Sequence, residues 1–268
     1  MPTMTDDISD EDRAALQAAK ALLENPGLAA RMTNLIGKPI ESGIARLPAN
    51  WSGAIDKATR LALTKAADAA LFTMADRPGR GASRRWHKLA VSVTGGVGGA
   101  FGWAGLALEL PVSTTLMLRS IADIARSEGE SMTAAPTRLA CLSVLALGGS
   151  SPSDDGTDSG YYAVRAALAR AVSNASQYLA QTAGASASAP ALARLISVVA
   201  KRFGVQVGEK AAAEAIPLVG AVGGATINLL FIDHFQDMAR GHFTVRRLER
   251  RYGEEVVQAL YATLPADR

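Results

Sequence analysis

Two long stretches without a charged residue constrain this chain more than anything else in it. Residues 89–108 read LAVSVTGGVGGAFGWAGLAL, and residues 215–232 read AIPLVGAVGGATINLLFI. A helix that is apolar on every face belongs either at the centre of a domain or inside a membrane. Both runs carry small residues four positions apart: Gly95 and Gly99, Gly98 and Gly102, Gly220 and Gly224. That spacing is about one helical turn, so each pair forms a flat stripe that lets another backbone come close. Buried central helices and membrane spans or hairpins both fit the run lengths. The glycines of the first run reduce its apolar area, and Glu109 and Asn228 would be costly in lipid without partners. These features weigh towards burial at the centre of a domain.

Composition points to helices. Of the 268 residues, 49% are apolar, only 5% are aromatic, and 25 are glycine. A chain this apolar can bury a core, and its lack of aromatic residues argues against an all-β sandwich. The single cysteine, Cys141, excludes a disulfide framework and cysteine-rich metal sites. A net charge of +3 is too small to imply nucleic acid. The mean hydropathy of +0.12 is high for a soluble protein. The expectation is an all-α, multi-helix single domain built around two glycine-rich apolar helices. An acidic N-terminus covers 1–9, the domain covers 10–262, and a short tail covers 263–268.

Local signals place the elements. Ser9, followed by Asp10, Glu11 and Asp12, predicts a capped helix start, and Asn25, Pro26 and Gly27 predict its stop near Glu24. A second helical stretch is expected over 28–46 and a long helix from Trp51 to Met74. Leu139–Leu147, Tyr161–Gln181 and Pro190–Phe203 read as further helices. Residues 148–160, GGSSPSDDGTDSG, read as a mobile surface loop. The segments TLMLRSIADIAR (115–126) and LLFIDHFQDMAR (229–240) share a shape, which raises an internal duplication. Residues 1–12 hold five acids and no base, the opposite of an export signal, so the expected compartment is the cytoplasm.

Basic tracts flank the apolar runs. Arg77, Arg80, Arg84, Arg85 and Lys88 precede the first, and Arg246, Arg247, Arg250 and Arg251 follow the second. Bases beside apolar segments attract anionic lipid headgroups, and these nine form an expected lipid patch. The plainer alternative is a solvated helix face on which Arg246, Arg247 and Arg250 pair with Glu249, Glu254 or Glu255.

Motifs of catalysis are scarce. Gly95–Gly99 fails the dinucleotide spacing because Phe101 occupies the last glycine position, and Gly37 with Lys38 lacks the rest of a phosphate loop. Asp233, His234 and Asp237 are the compact acid–imidazole group, expected to make polar contacts at a helix end. A metal there would need further ligands such as His87 or Glu109, and an enzyme would draw on Glu109 or Glu214. Together with Glu109 and Asn228 they form a polar cluster of unassigned role. The expectation is a protein without catalytic residues, cofactor or metal.

The stretches GGVGGAFGWAGLALELPVSTTLMLRSIADIARSEGE (95–130), EKAAAEAIPLVGAVGGATINLLFIDHFQDMARGHF (209–243) and VRRLERRYG (245–253) resemble the bacterial EcsC family in the same order. The resemblance covers about residues 30–262. It implies a largely helical, membrane-associated bacterial protein with a link to an ABC transporter and no established activity. It brings no catalytic residues to this chain. Two functions follow as expectations. The first is a non-enzymatic protein peripheral to the cytoplasmic face of the inner membrane, acting through anionic lipid or a membrane partner. The second is a binding protein whose Gly/Ala-lined interior takes an apolar or acyl-chain ligand.

Overall fold

The computed structural model describes residues 8–24, 27–73, 103–149, 160–182, 189–216 and 220–265. Among these there are ten helices and no strand: α1 Asp10–Leu23, α2 Leu28–Ile36, α3 Glu41–Ile44, α4 Trp51–Thr73, α5 Trp103–Ser127, α6 Ala135–Val144, α7 Gly160–Gln181, α8 Pro190–Glu214, α9 Gly220–Tyr252 and α10 Glu254–Thr263. The all-α expectation holds.

The start of α1 follows its sequence signal. The Ser9 side chain accepts a hydrogen bond from the Asp12 amide at 3.2 Å, and the first-turn acids complement the positive end of the helix. The expected helix over 28–46 is two helices. Gly37 turns left-handed at φ 67° and caps α2, and Pro39 prevents the chain from continuing it. The expected helix over Pro190–Phe203 instead runs on to Glu214. Tyr161–Gln181 lies wholly within α7.

Helix α9 is the axis. Its 33 residues span about 50 Å at 1.5 Å per residue. It packs against α1, α2, α5, α6, α8 and α10. Helix α4 lies on α5 and α8, and α7 packs on α6 and α8. Ile227 and Phe231 of the second apolar run are fully buried in this interior, as are Leu110 and Leu118 on α5 just beyond the first run. Phe203, Phe231 and Phe235 meet edge-on or tilted between α8 and α9.

Backbones approach closely at glycines away from those singled out by spacing. A Cβ on Gly43 would collide with the Ala212 carbonyl, joining α3 to α8. A Cβ on Gly241 would lie 2.6 Å from Leu23 Cγ and 3.0 Å from the Ala19 oxygen, joining α9 to α1. Gly220 opens α9 and Gly224 is buried. Gly95, Gly98, Gly99 and Gly102 lie outside the described residues, as does 150–159 of the expected loop.

The similar segments 115–126 and 229–240 sit on α5 and α9. Their burial matches at 11 of 12 positions, with Arg119 and Asp233 the exception. Each ends in the same ion pair: Asp123 with Arg126 and Asp237 with Arg240, both at 2.6 Å. Gln236 on α9 donates to Ser120 on α5 at 2.8 Å.

Candidate functional site

The structure divides the expected polar cluster in two. Glu109 on α5 and Asn228 on α9 come together through a residue the sequence reading missed, Lys210 on α8. Lys210 is fully buried and donates to Glu109 Oε1 at 2.8 Å and to Asn228 Oδ1 at 3.0 Å. Its ammonium also stands 3.7 Å from Glu214 Oε1 and 5.4 Å from the centre of the Phe231 ring. Burial pushes the Glu214 carboxyl above its ordinary range; Lys210 opposes this and Glu109 adds to it. One ammonium therefore pins three helices at their apolar centre.

Asp233, His234 and Asp237 do not sit at a helix end. They lie in the middle of α9 because that helix continues to Tyr252. Asp237 accepts from Arg31 at 3.3 Å and from Arg240 at 2.6 Å. His234 turns inward beside Gln206, which donates to the Leu147 oxygen at 2.7 Å and lies 3.3 Å from His234 Nε2. Burial, with Arg31 nearby, lowers His234 to about 4, so it is neutral at pH 7. No group of three His, Cys, Asp or Glu close enough to hold a metal occurs among the described residues. Burial pushes the Cys141 thiol up to about 12, which leaves it unreactive at neutral pH.

The arginines of the second basic tract have partners far away in sequence. Arg246 donates to both oxygens of Glu130, at 2.8 and 3.3 Å, and Arg250 also reaches Glu130. Arg247 bridges Glu128 at 2.9 Å and Asp12 at 3.2 Å, and Arg251 and Tyr252 each donate to Asp12 at 2.7 Å. Glu249 and Glu254, two of the acids expected to pair with these arginines, take another base instead. Glu249 is held by Arg165, with Glu254 3.7 Å from the same guanidinium. Asp12 lies below its ordinary range chiefly through the Tyr252 hydrogen bond, which with Arg247 and Arg251 outweighs burial. Burial raises Glu130, but hydrogen bonds from Arg246 and Thr137 and the charge of Arg250 overcome it and hold the carboxyl low. These four bases form a seam fastening α9 to α1 and to the turn after α5. Arg77, Arg80, Arg84, Arg85 and Lys88 lie outside the described residues.

A cleft of about 320 Å³ opens between α6, α7, α9 and α10. Ala140, Ala166, Leu168, Ala169 and Val172 line its apolar side, and Arg165, His242 and Arg246 its polar end. Ala166 and Ala169 face solvent, so the cleft is open on the α7 side. Two features create the space. The exposed face of α7 carries alanines where larger residues would fill it, and Arg165 is drawn aside by Glu249 at 2.5 and 3.1 Å. Tyr161 is buried beneath, with its hydroxyl 2.9 Å from His242 Nδ1. Burial holds His242 well below its ordinary value, with Arg246 and Arg165 adding to this, so the ring is neutral. The site thus joins a small-residue apolar wall to a neutral imidazole. The alanine spacing in YYAVRAALARAV was the available sequence signal, but a helix face of alanines reads equally as a packed one.

Residues 11–248 match the family model described as EcsC protein family. No curated protein and no solved structure matches the chain.

Proposed function

The chain belongs to the EcsC family, and we propose that it is a non-enzymatic binding protein that takes a small, largely apolar alkyl- or acyl-chain molecule in the cleft between α6, α7, α9 and α10. The cleft itself carries this reading. Its volume of about 320 Å³ lies at the lower end of the range of small-molecule sites, about 300–1,000 Å³. Three alanines, a valine, a leucine and a proline supply its apolar wall, and Ser143, Tyr162, Arg165, His242, Arg246, Glu254 and Gln258 supply polar groups, a division between surface that supplies affinity and groups that orient. The neutral fluorophore N-phenyl-1-naphthylamine tests it. Saturable fluorescence enhancement is expected, and Ala169→Trp, which fills the open side, should abolish it while leaving the helical circular dichroism unchanged. Absence of binding, or binding unaffected by Ala169→Trp, would count against the cleft.

A second reading, recruitment to the cytoplasmic face of the inner membrane by anionic lipid, draws support from the first basic tract. Residues 77–108 contain Arg77, Arg80, Arg84, Arg85 and Lys88 and no acid at all. The four arginines of the second tract pair with Asp12, Glu128 and Glu130, which leaves one net positive charge there, so the five bases of the first tract supply most of the attraction. At about 1 kcal/mol each near an anionic surface, they suffice for reversible binding at low salt. No helix among the described residues is long and apolar enough to cross a membrane. Arg84→Glu with Arg85→Glu should abolish binding to anionic liposomes, whereas Arg246→Glu should act mainly on stability. Equal binding to neutral and anionic liposomes would contradict this reading.

A further inference from the structure

The polar end of the cleft has no uncompensated positive charge. Arg165 is held through two hydrogen bonds by Glu249, with Glu254 3.7 Å from it. Arg246 is held by both oxygens of Glu130. Counting Arg250, which shares Glu130, three guanidinium groups therefore meet three carboxylates. A carboxylate or phosphate entering the cleft would have to compete with these acids for the same donors.

The free donor is elsewhere. Arg165 Nη1 lies 3.4 Å from the Tyr161 hydroxyl, and that hydroxyl lies 2.9 Å from His242 Nδ1. A guanidinium can only donate, so the hydroxyl oxygen accepts from it, and His242 Nδ1 is the acceptor within reach of the hydroxyl proton among the described residues. With Nδ1 accepting, the proton of the neutral ring sits on Nε2. Nε2 is buried and has no hydrogen-bond partner among the described residues. His242 is also one of the residues lining the cleft, and a head group reaches its covered Nε2 by displacing a neighbouring side chain. Among the buried side-chain polar atoms without a partner, Nε2 is the one that belongs to a residue lining the cleft, which marks it as the place of a missing acceptor.

We infer that the cleft selects a ligand with an uncharged oxygen acceptor, such as an amide, ester or alcohol, which accepts from His242 Nε2–H while its alkyl chain lies along Ala140, Ala166 and Ala169. This rests on the cleft reading above and adds the chemistry of the head group. Tyr161 is a positioning residue: it lies beneath the cleft and, with Arg165, fixes the tautomer.

Displacement of N-phenyl-1-naphthylamine by octanamide and by octanoate, at pH 7.5, tests it. Octanamide is expected to displace the probe at concentrations at least about tenfold lower, the advantage of one satisfied buried hydrogen bond. His242→Phe should retain probe binding and erase the difference. Since His242→Phe could disturb the core, Tyr161→Phe and ¹⁵N spectra of the wild-type imidazole provide an independent check. The wild-type ring should be protonated at Nε2, and Tyr161→Phe should shift the tautomer population and reduce the preference for octanamide. Equal displacement by both compounds, a preference for octanoate, or a ring protonated at Nδ1 would overturn the head-group assignment while leaving probe binding intact. Failure of the probe to bind would overturn both readings.

Discussion

Lys210 and Glu109 meet at 2.8 Å in the centre of the molecule, with no part of the lysine side chain exposed. Their attraction has to offset the removal of two charges from water, so the pair is more a constraint on which helices meet than a surplus of stability. Removing one partner leaves the other charge buried and unpaired. Lys210→Ala is predicted to lower the unfolding free energy by about 3–5 kcal/mol. Lys210→Met combined with Glu109→Leu should cost clearly less than the sum of its single changes. Urea unfolding checks both, and a single-variant loss below about 1 kcal/mol would mean that the ammonium reaches water.

Asp12 and Glu130 bind the arginines of α9 and titrate below their ordinary values of 3.8 and 4.5. Such groups add stability at pH values above their unfolded pKa. That stability is lost as pH falls through the lowered folded values. The native protein should therefore become less stable on acidification below about pH 4.5. Asp12→Asn, measured by thermal unfolding at pH 7 and pH 3, should be less stable than the native chain at pH 7, by a margin that narrows at pH 3. A margin unchanged between the two pH values would assign the loss to geometry rather than charge.

Glu209 behaves in the opposite way. Burial raises its carboxyl to about 7, partly offset by a hydrogen bond from the Ala29 amide. The folded state then holds a proton that the unfolded state releases, and stability falls as pH rises from about 4.5 to 7. Glu209→Gln keeps an acceptor for Ala29 and should gain about 1–2 kcal/mol at pH 8, after allowing for partial exposure. At pH 4.5 it should gain almost nothing. No gain at pH 8 would mean that the carboxylate is solvated.

The glycines give a graded series. Gly241→Ala should cost about 1–3 kcal/mol, because its Cβ would press on Leu23 and the Ala19 carbonyl. Gly53 on α4 has nothing within 4 Å of a Cβ. Gly53→Ala should instead stabilise the helix by about 0.5–1 kcal/mol. A melting temperature of Gly241→Ala unchanged or raised, like that of Gly53→Ala, would contradict the close α1–α9 approach.

Local signals were legible where the physics is local. The Ser9 cap, the Asn25–Gly27 break and the long helix α4 follow from neighbouring residues. Gly37 and Pro39 also punctuate the chain, but the apolar spacing on either side reads as one helix through them. Glu109 and Asn228 stood out as polar residues at or within apolar runs, and the fold brings them together. Lys210 did not stand out, because Glu209 and Glu214 beside it look like a solvated charged face. The partners of Arg246 and Arg251 lie 116 and 239 residues away, at Glu130 and Asp12, beyond anything spacing can show. Small-residue spacing pointed to Gly95, Gly98, Gly99, Gly102, Gly220 and Gly224, whereas the close backbone approaches among the described residues are at Gly43 and Gly241. The contacts at Gly43 and Gly241 depend on which helices cross, which is a tertiary fact.

Occupancy of the cleft is the central claim, and ¹³C-alanine methyl spectra read it most directly. Titration with octanamide should shift the methyl signals of Ala140, Ala166 and Ala169 saturably and together, while alanines of the distant core such as Ala62 and Ala66 on α4 stay in place. Saturable binding with the shifts located elsewhere, or no shift in the cleft alanines at the solubility limit of octanamide, would contradict the account.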